Sequence, residues 1–358
     1  MFVGLRDLRH ARGRFTLMVV VVAMVAFLAA FLASLTSGLA RESTSAVSEL
    51  PADQLAFGMP EEGQSPAFTS SSVTTEQWHA WQQVDGVTSA EPLGVATLRA
   101  TSALTTIAVA AMGVAPGSAL LPHGVTTIDD DAAVLTGAAA DALGLSPGDA
   151  LALAAGSVSV TAVVESDASF SHTPAIWLSL DTWRELSGRG ADSFATAIAL
   201  TTNRADLDAA DAAIGTTTVT TSAARSAVAA FAAENLTLTL IVGFLLAISA
   251  LVVGAFFTVW TVGRAGDLAV LKALGASTRY LVRDALGQAL VVLGIGVALG
   301  TLLATGAALA LGSVAPVVVG FGTTAVPALL IVGLGLLGAA IATSRISAVD
   351  AHGALAAR

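Results

Sequence analysis

Glu234 stands one residue before a long uncharged run, Asn235 to Gly263, in the stretch AAFAAENLTLTLIVGF. An ionisable group within or beside a membrane-spanning segment is costly, so it marks a functional site by default. Phe231 lies three residues earlier, on the same helical face. Another apolar run, Phe15 to Leu35, carries Phe27 and Phe31 four residues apart, then Ser34 toward its outer end. A carboxylate beside phenylalanines at the outer edge of two spans suits a flat or amphiphilic apolar ligand with a cationic or Lewis-acidic centre. Glu42 and Glu49 follow the first run and are the fallback carboxylates, placed farther into water. The plainer reading of Glu234 is a residue at the start of a helix, where its charge suits the dipole. His79, His123 and His172 are too scattered to form a ligand spacing and read as exposed or capping histidines. There is no cysteine, so neither a disulfide nor a thiolate ligand is available.

The elements that must position these residues follow from hydropathy. The chain has 358 residues, 55% of them hydrophobic and 12% charged, with a mean hydropathy of +0.79. That is too apolar for a water-soluble domain of this size. The apolar residues come in blocks without charge: Phe15 to Leu35, Asn235 to Gly263, and Leu286 to Ser344 with polar breaks near Ser313 and Gly320 to Thr324. A spanning helix needs roughly 20 apolar residues, so the last block is two spans. Four transmembrane helices are predicted, at 15–39, 232–263, 280–312 and 324–344. The first is read as a retained helix, because its apolar core exceeds that of a signal peptide and no Ala-x-Ala cleavage site stands out.

Charge sets the orientation. Residues 1–14, the 264–284 segment and the 345–358 tail hold ten basic and four acidic residues, whereas residues 40–235 hold six arginines and 22 acids. Basic loops stay in the cytoplasm. Both termini and the 264–279 segment are thus expected inside the cytoplasmic membrane, with 40–231 and the short 313–323 loop outside. No basic stripe points to nucleic acid.

Region 40–231 reads as an α+β domain inserted between helices 1 and 2. Val158 to Val163 alternates as a half-buried strand, and so does Ile176 to Leu180. A helix is expected to follow, capped by Asp181 with Trp183 and Leu186 on its inner face. Ala195 to Leu200 is a further strand, Asn203 to Ile214 a short acidic helix, and Gly58 to Ser72 a loop.

The segment RAGDLAVLKALGAS, residues 264–277, contains the chain's one lysine, Lys272. Leu268, Leu271 and Leu274, with Val270 beside them, form an apolar stripe at helical spacing, Asp267 lies near the start, and Gly275 suits a helix C-terminus. By its residues alone this is an amphipathic connector or a docking helix. It resembles the coupling segment of the ABC transporter permeases that include the macrolide exporter, the lipoprotein-release permeases and the cell-division permease FtsX (the MacB/LolC/FtsX-like family). That pattern, R-x-x-E-[IL]-x-[IVL]-[LM]-[KR]-x-[LI]-G-[AM], is matched by Arg264, Leu268, Val270, Leu271, Lys272, Leu274 and Gly275, with Asp267 where Glu is usual. VLTGAAADALGLSPGDALAL (134–153) resembles a stretch of the same family's outer domain, and SRISAVDAHGALAAR resembles its closing segment without the proline. The resemblance implies a permease subunit, homodimeric or heterodimeric, that binds two copies of a separate cytoplasmic ABC ATPase, with Lys272 docking there. The chain has no G-x-x-x-x-G-K-[ST] phosphate loop, so it is not itself the ATPase.

Within that family, the single-insert, four-span permeases of haem-detoxifying exporters are the most similar in length and in their compact outer domain. The resemblance implies haem as transported substrate rather than resident cofactor. Glu234 is then the ligand to ferric iron, with Phe231, Phe27, Phe31 and Ser34 about the porphyrin and Glu42 in reserve. Export of an antimicrobial peptide, a macrolide or another lipophile stays open, as does FtsX-like regulation of a cell-wall enzyme.

Overall fold

The protein is described by a computed structural model covering residues 12–344, apart from 155, 191–192, 264–265, 267–269, 271–274 and 313. It divides into two compact units, Leu39–Asn235 and the pair Met1–Gly38 with Leu236–Arg358.

The first unit is the α+β insertion. The first helix, α1 (Arg12–Ser48), continues past the predicted end of its span and enters this unit with its last turns. Then come β1 (Gln54–Gly58), α2 (Thr75–Gln82), β2 (Val87–Thr101), β3 (Thr106–Val114), β4 (Ala132–Thr136), α3 (Gly137–Leu143), β5 (Ala150–Leu153) and β6 (Gly156–Val164). A short β7 (Ser169–Phe170), β8 (Thr173–Ser179), α4 (Leu180–Leu186), β9 (Ala197–Thr202), α5 (Leu207–Ile214) and β10 (Thr216–Thr220) complete it. The strands form one sheet in the order β10-β1-β9-β2-β3-β8-β4-β6-β5, with β7 paired to β8. β3–β8 and β4–β6 are parallel and the other pairs antiparallel.

Both faces of the sheet are covered. In β3, Ala110, Met112 and Val114 enter one core with Phe57, Phe68 and Phe170, while Val109 and Ala111 enter the other with Trp81, Leu135 and Trp183. Alternation of side chains across the pleat thus feeds two cores, which is why β3 reads as a continuous apolar run. Trp183 of α4 lies flat on β2 and β3 because Gly94 and Gly113 leave room. A Cβ at those positions would sit 2.3 and 2.5 Å from the Trp183 side chain.

The sequence-predicted elements at 158–163, 176–180, 195–200 and 203–214 all appear, with shifted ends. The helix after β8 is capped by Ser179, not Asp181. Ser179 has extended backbone and its Oγ accepts from the Thr182 amide at 3.1 Å, whereas Asp181 lies in the first turn and pairs with Arg184 at 3.3 Å. α5 starts later than Asn203, because Arg204 sits at φ 60° and Asp206 supplies the cap.

The second unit holds α6 (Ala229–Gly263, most of it), α7 (Thr278–Leu311) and α8 (Phe321–Ser344) with the first part of α1. Four helices, Phe15–Ser48, Ala229–Trp260, Arg279–Leu311 and Phe321–Thr343, are long and apolar enough to cross a membrane. Small residues bring them together. A Cβ at Gly300 of α7 would lie 2.3 Å from the Ala23 carbonyl oxygen of α1, so those backbones meet directly. Phe15, Met18, Val22, Phe257, Leu293 and Ile331 fill the interior of this bundle. Its outward side chains are apolar too: Phe244, Leu251, Val259, Leu302, Leu329 and Leu337 are exposed.

In the predicted coupling segment, Arg264, Asp267, Leu268, Leu271, Lys272 and Leu274 lie outside the described residues. Gly266 and Val270 are helical, and Gly275 has φ 96°, a backbone conformation that glycine adopts readily. The N-terminal residues 1–11 and the 345–358 tail are likewise outside the described part.

Candidate functional site

The polar run Glu42-Ser43-Thr44-Ser45 near the end of α1 forms a seat. Ser43, Thr44 and Ser45 are buried to 1% exposure or less. The β7–β8 hairpin docks on it through its backbone. The Ser171 amide donates to the Ser43 carbonyl at 3.0 Å and the His172 amide to the Glu42 carbonyl at 3.3 Å. The Ser169 amide donates to Ser45 Oγ at 2.9 Å, and Ser45 Oγ donates to the Asp167 carbonyl at 3.2 Å. These bonds fix a two-residue turn, Ser171-His172, and aim its imidazole.

His172 meets two carboxylates. Its Nε2 is 3.0 and 3.2 Å from the two Glu234 oxygens and 2.9 Å from Ser43 Oγ. Its Nδ1 is 3.5 Å from a Glu42 oxygen. Glu42 comes from α1, Glu234 from the first turns of α6, and His172 from a hairpin far from both in sequence. The side chains are 49%, 40% and 30% exposed respectively, so a ligand can reach them and the ion pairs are worth at most about 1 kcal/mol each. Each carboxylate thus faces a different ring nitrogen of the same imidazole.

Glu42 and Glu234 therefore flank one imidazole. They share one partner. That partner is His172, read from sequence as an exposed or capping histidine too scattered to join a site. Phe231 is on α6, with the Arg225 guanidinium 4.8 Å above its ring. Glu49 pairs with Arg41 at 3.4 Å, away from this cluster. Among the described residues, no group of three or more His, Asp or Glu side chains is arranged to cage a free metal ion.

The other predicted site residues belong to the membrane unit. Phe27 and Phe31 stack on one face of α1, ring centroids 5.8 Å apart and nearly parallel. Ser34 is buried, and its carbonyl accepts from the Val318 amide at 3.1 Å. Phe27 also lines an open apolar groove of about 870 Å³ between α1 and α7, with Met24, Leu28, Leu299 and Leu303. No polar side chain enters this groove. Chemically, the described parts are a half-exposed carboxylate pair and an aromatic, wholly apolar surface.

Residues 16–217 match the MacB-like periplasmic core domain, and residues 239–351 match the FtsX-like permease C-terminal domain. The chain belongs to the MacB/FtsX-like family of ABC transporter permeases. Such a permease is a multi-pass membrane protein, and its family implies an ATPase partner, in keeping with a chain that lacks a phosphate loop. A Staphylococcus haemolyticus protein that carries the name of a hemin transport system permease, HrtB, is 23% identical over 357 residues, covering 96% of both chains. A namesake from Staphylococcus epidermidis is 34% identical over 85 residues, and that match spans 24% of either length. Among solved structures, the extracellular domain of the transporter YknZ from Gram-positive bacteria aligns over 47% of this chain and 98% of its own, with 17% identity and a TM-score of 0.36. The periplasmic region of MacB from Actinobacillus actinomycetemcomitans aligns over 49% of this chain and 92% of its own, with 11% identity and a TM-score of 0.37.

Proposed function

We propose that this permease exports ferric haem, taken from the outer leaflet of the cytoplasmic membrane and discharged outward on ATP binding by two partner ATPase subunits. The observation that carries the reading is the carboxylate pair Glu42–Glu234, gathered on His172 where the second span begins. Carboxylate oxygen is a competent ligand for ferric iron, and axial ligand and pocket polarity are the protein's levers on haem. The full-length likeness to a permease named for hemin transport supports the same cargo. Glu234 supplies the iron ligand, and Phe231, on the same helix, offers aromatic surface to the porphyrin. Two copies of the chain form the pump. Both termini and residues 264–279 are cytoplasmic, on the charge asymmetry of the loops, and Lys272 docks on the ATPase.

An absorption titration of the purified complex with hemin tests this reading. Saturable binding with a shifted, ligand-specific spectrum is expected. Purely linear, non-saturable partition would contradict it. A second reading, export of another lipophile, is favoured by the wholly apolar groove at Phe27, which offers no group for iron. In that case a lipophile would compete in export assays while hemin would not.

A further inference from the structure

The turn that carries His172 is built against the chain's local preference. In a two-residue hairpin turn with positive φ at both central positions, Asn-Gly or Asp-Gly is favoured. Here Ser171 is at φ 49° and His172 at φ 61°. Non-glycine residues in that region are uncommon, and two in succession persist only when their surroundings hold them. The backbone bonds to Ser43 and Glu42 and the Ser45–Ser169 bond do so. The result of this arrangement is an imidazole set between two carboxylates from two different helices.

The ring and the cargo's iron compete for one carboxylate. His172 Nε2 lies 3.0 Å from a Glu234 oxygen, within hydrogen-bond distance. Ferric iron in a dianionic porphyrin presents one net positive charge to the same oxygen. We propose that His172 is a positioning residue that holds the Glu42–Glu234 pair in the unloaded permease, yields Glu234 to ferric iron on loading, and reclaims it on release. The proposal rests on the haem reading above. On loading, a Glu234 carboxylate oxygen forms a coordinate bond to iron as the iron's water leaves. The imidazole stays on Ser43 and Glu42, and no proton is transferred. Release reverses the step, water returning to iron, and no electron moves. His172 thereby lowers affinity for the cargo and speeds its discharge.

His172→Asn tests this, because asparagine tolerates the left-handed backbone and has no charge. His172→Gly, which fits positive φ without strain, is the second variant should the first fold poorly. Hemin and iron-free protoporphyrin are titrated against the purified complex, and haem resistance is scored in cells. The variants should bind hemin about two- to fivefold more tightly, the span that a half-exposed ion pair supports, and bind iron-free protoporphyrin unchanged. Cells carrying them should be less resistant to haem. A histidine with only a structural role would lower binding and resistance together. Unchanged or weaker hemin binding in both variants would overturn the role of His172 and leave the haem reading standing. Equal tightening toward the iron-free porphyrin would overturn the exchange at iron. If the unmodified complex shows no saturable hemin binding, the haem reading fails, and the exchange fails with it.

Discussion

The two units of this chain solve burial in opposite ways. The α+β insertion hides apolar side chains inside, in two cores on the two faces of one sheet, and shows water its acids. The membrane unit is apolar within and without. Where hydrocarbon is the solvent, burying leucine gains little, and helices associate through close backbone approach and satisfied polar groups. Bulk therefore stabilises the first unit, as with Trp183 on its glycine platform, whereas smallness stabilises the second, as with Gly300 against α1. The same difference says where chemistry can be kept. The cluster of Glu42, His172 and Glu234 is built wholly from residues of the insertion, whereas the described groove of the bundle is lined by apolar side chains.

Removing bulk should hurt the insertion most. Trp183→Ala empties a fully buried site and should cost about 3–5 kcal/mol, read as a lower thermal midpoint of the purified complex. A midpoint within error of the unmodified protein would mean that the platform is not a keystone. Adding bulk should hurt the bundle. Gly300→Leu should destabilise by about 1–3 kcal/mol, while Gly294→Leu on the same helix, with nothing within 4 Å of its Cβ position, should be near neutral. Equal effects at the two glycines would break the contrast.

The proposed ATPase-docking segment, residues 264–277, gives a functional prediction of intermediate size. Leu271→Pro, which removes a backbone donor and blocks helical continuation, and Lys272→Glu should each weaken copurification of the ATPase or uncouple hydrolysis from export. Normal copurification and transport in both would reduce the segment to a connector. The smallest perturbation tests sidedness. Single cysteines at the exposed Ser65 and Ser277 in this cysteine-free chain should label from opposite faces of sealed right-side-out vesicles. Equal labelling of both from outside would invert the loop assignment.

Much of this architecture was legible in the sequence because its signals are local. Three uncharged runs, the last long enough for two helices, give four spans, and alternation at Val158 to Val163 gives β6. Element ends were less legible, since caps compete at short range: Ser179 took the role assigned to Asp181 because its Oγ reaches the third amide of the helix. Glu234 stood out by its place beside a span. His172 did not, because nothing near residue 172 reveals that a hairpin turn will seat it on residues 42–45 and bring it to residue 234. Such a site is made by topology, and a periodicity or spacing rule has no access to it. The one local trace, two successive non-glycine residues at positive φ, becomes visible only in the backbone.

The central claim, that a carboxylate at the start of the second span takes the cargo's iron, is tested most directly at Glu234. Hemin spectra and cellular haem resistance should be compared for Glu234→Ala and for Glu49→Ala, a carboxylate outside the cluster. The account predicts that Glu234→Ala abolishes or strongly shifts the bound-haem absorption bands and removes resistance while ATP hydrolysis persists, and that Glu49→Ala changes neither. An unchanged spectrum together with unchanged resistance in Glu234→Ala would contradict it.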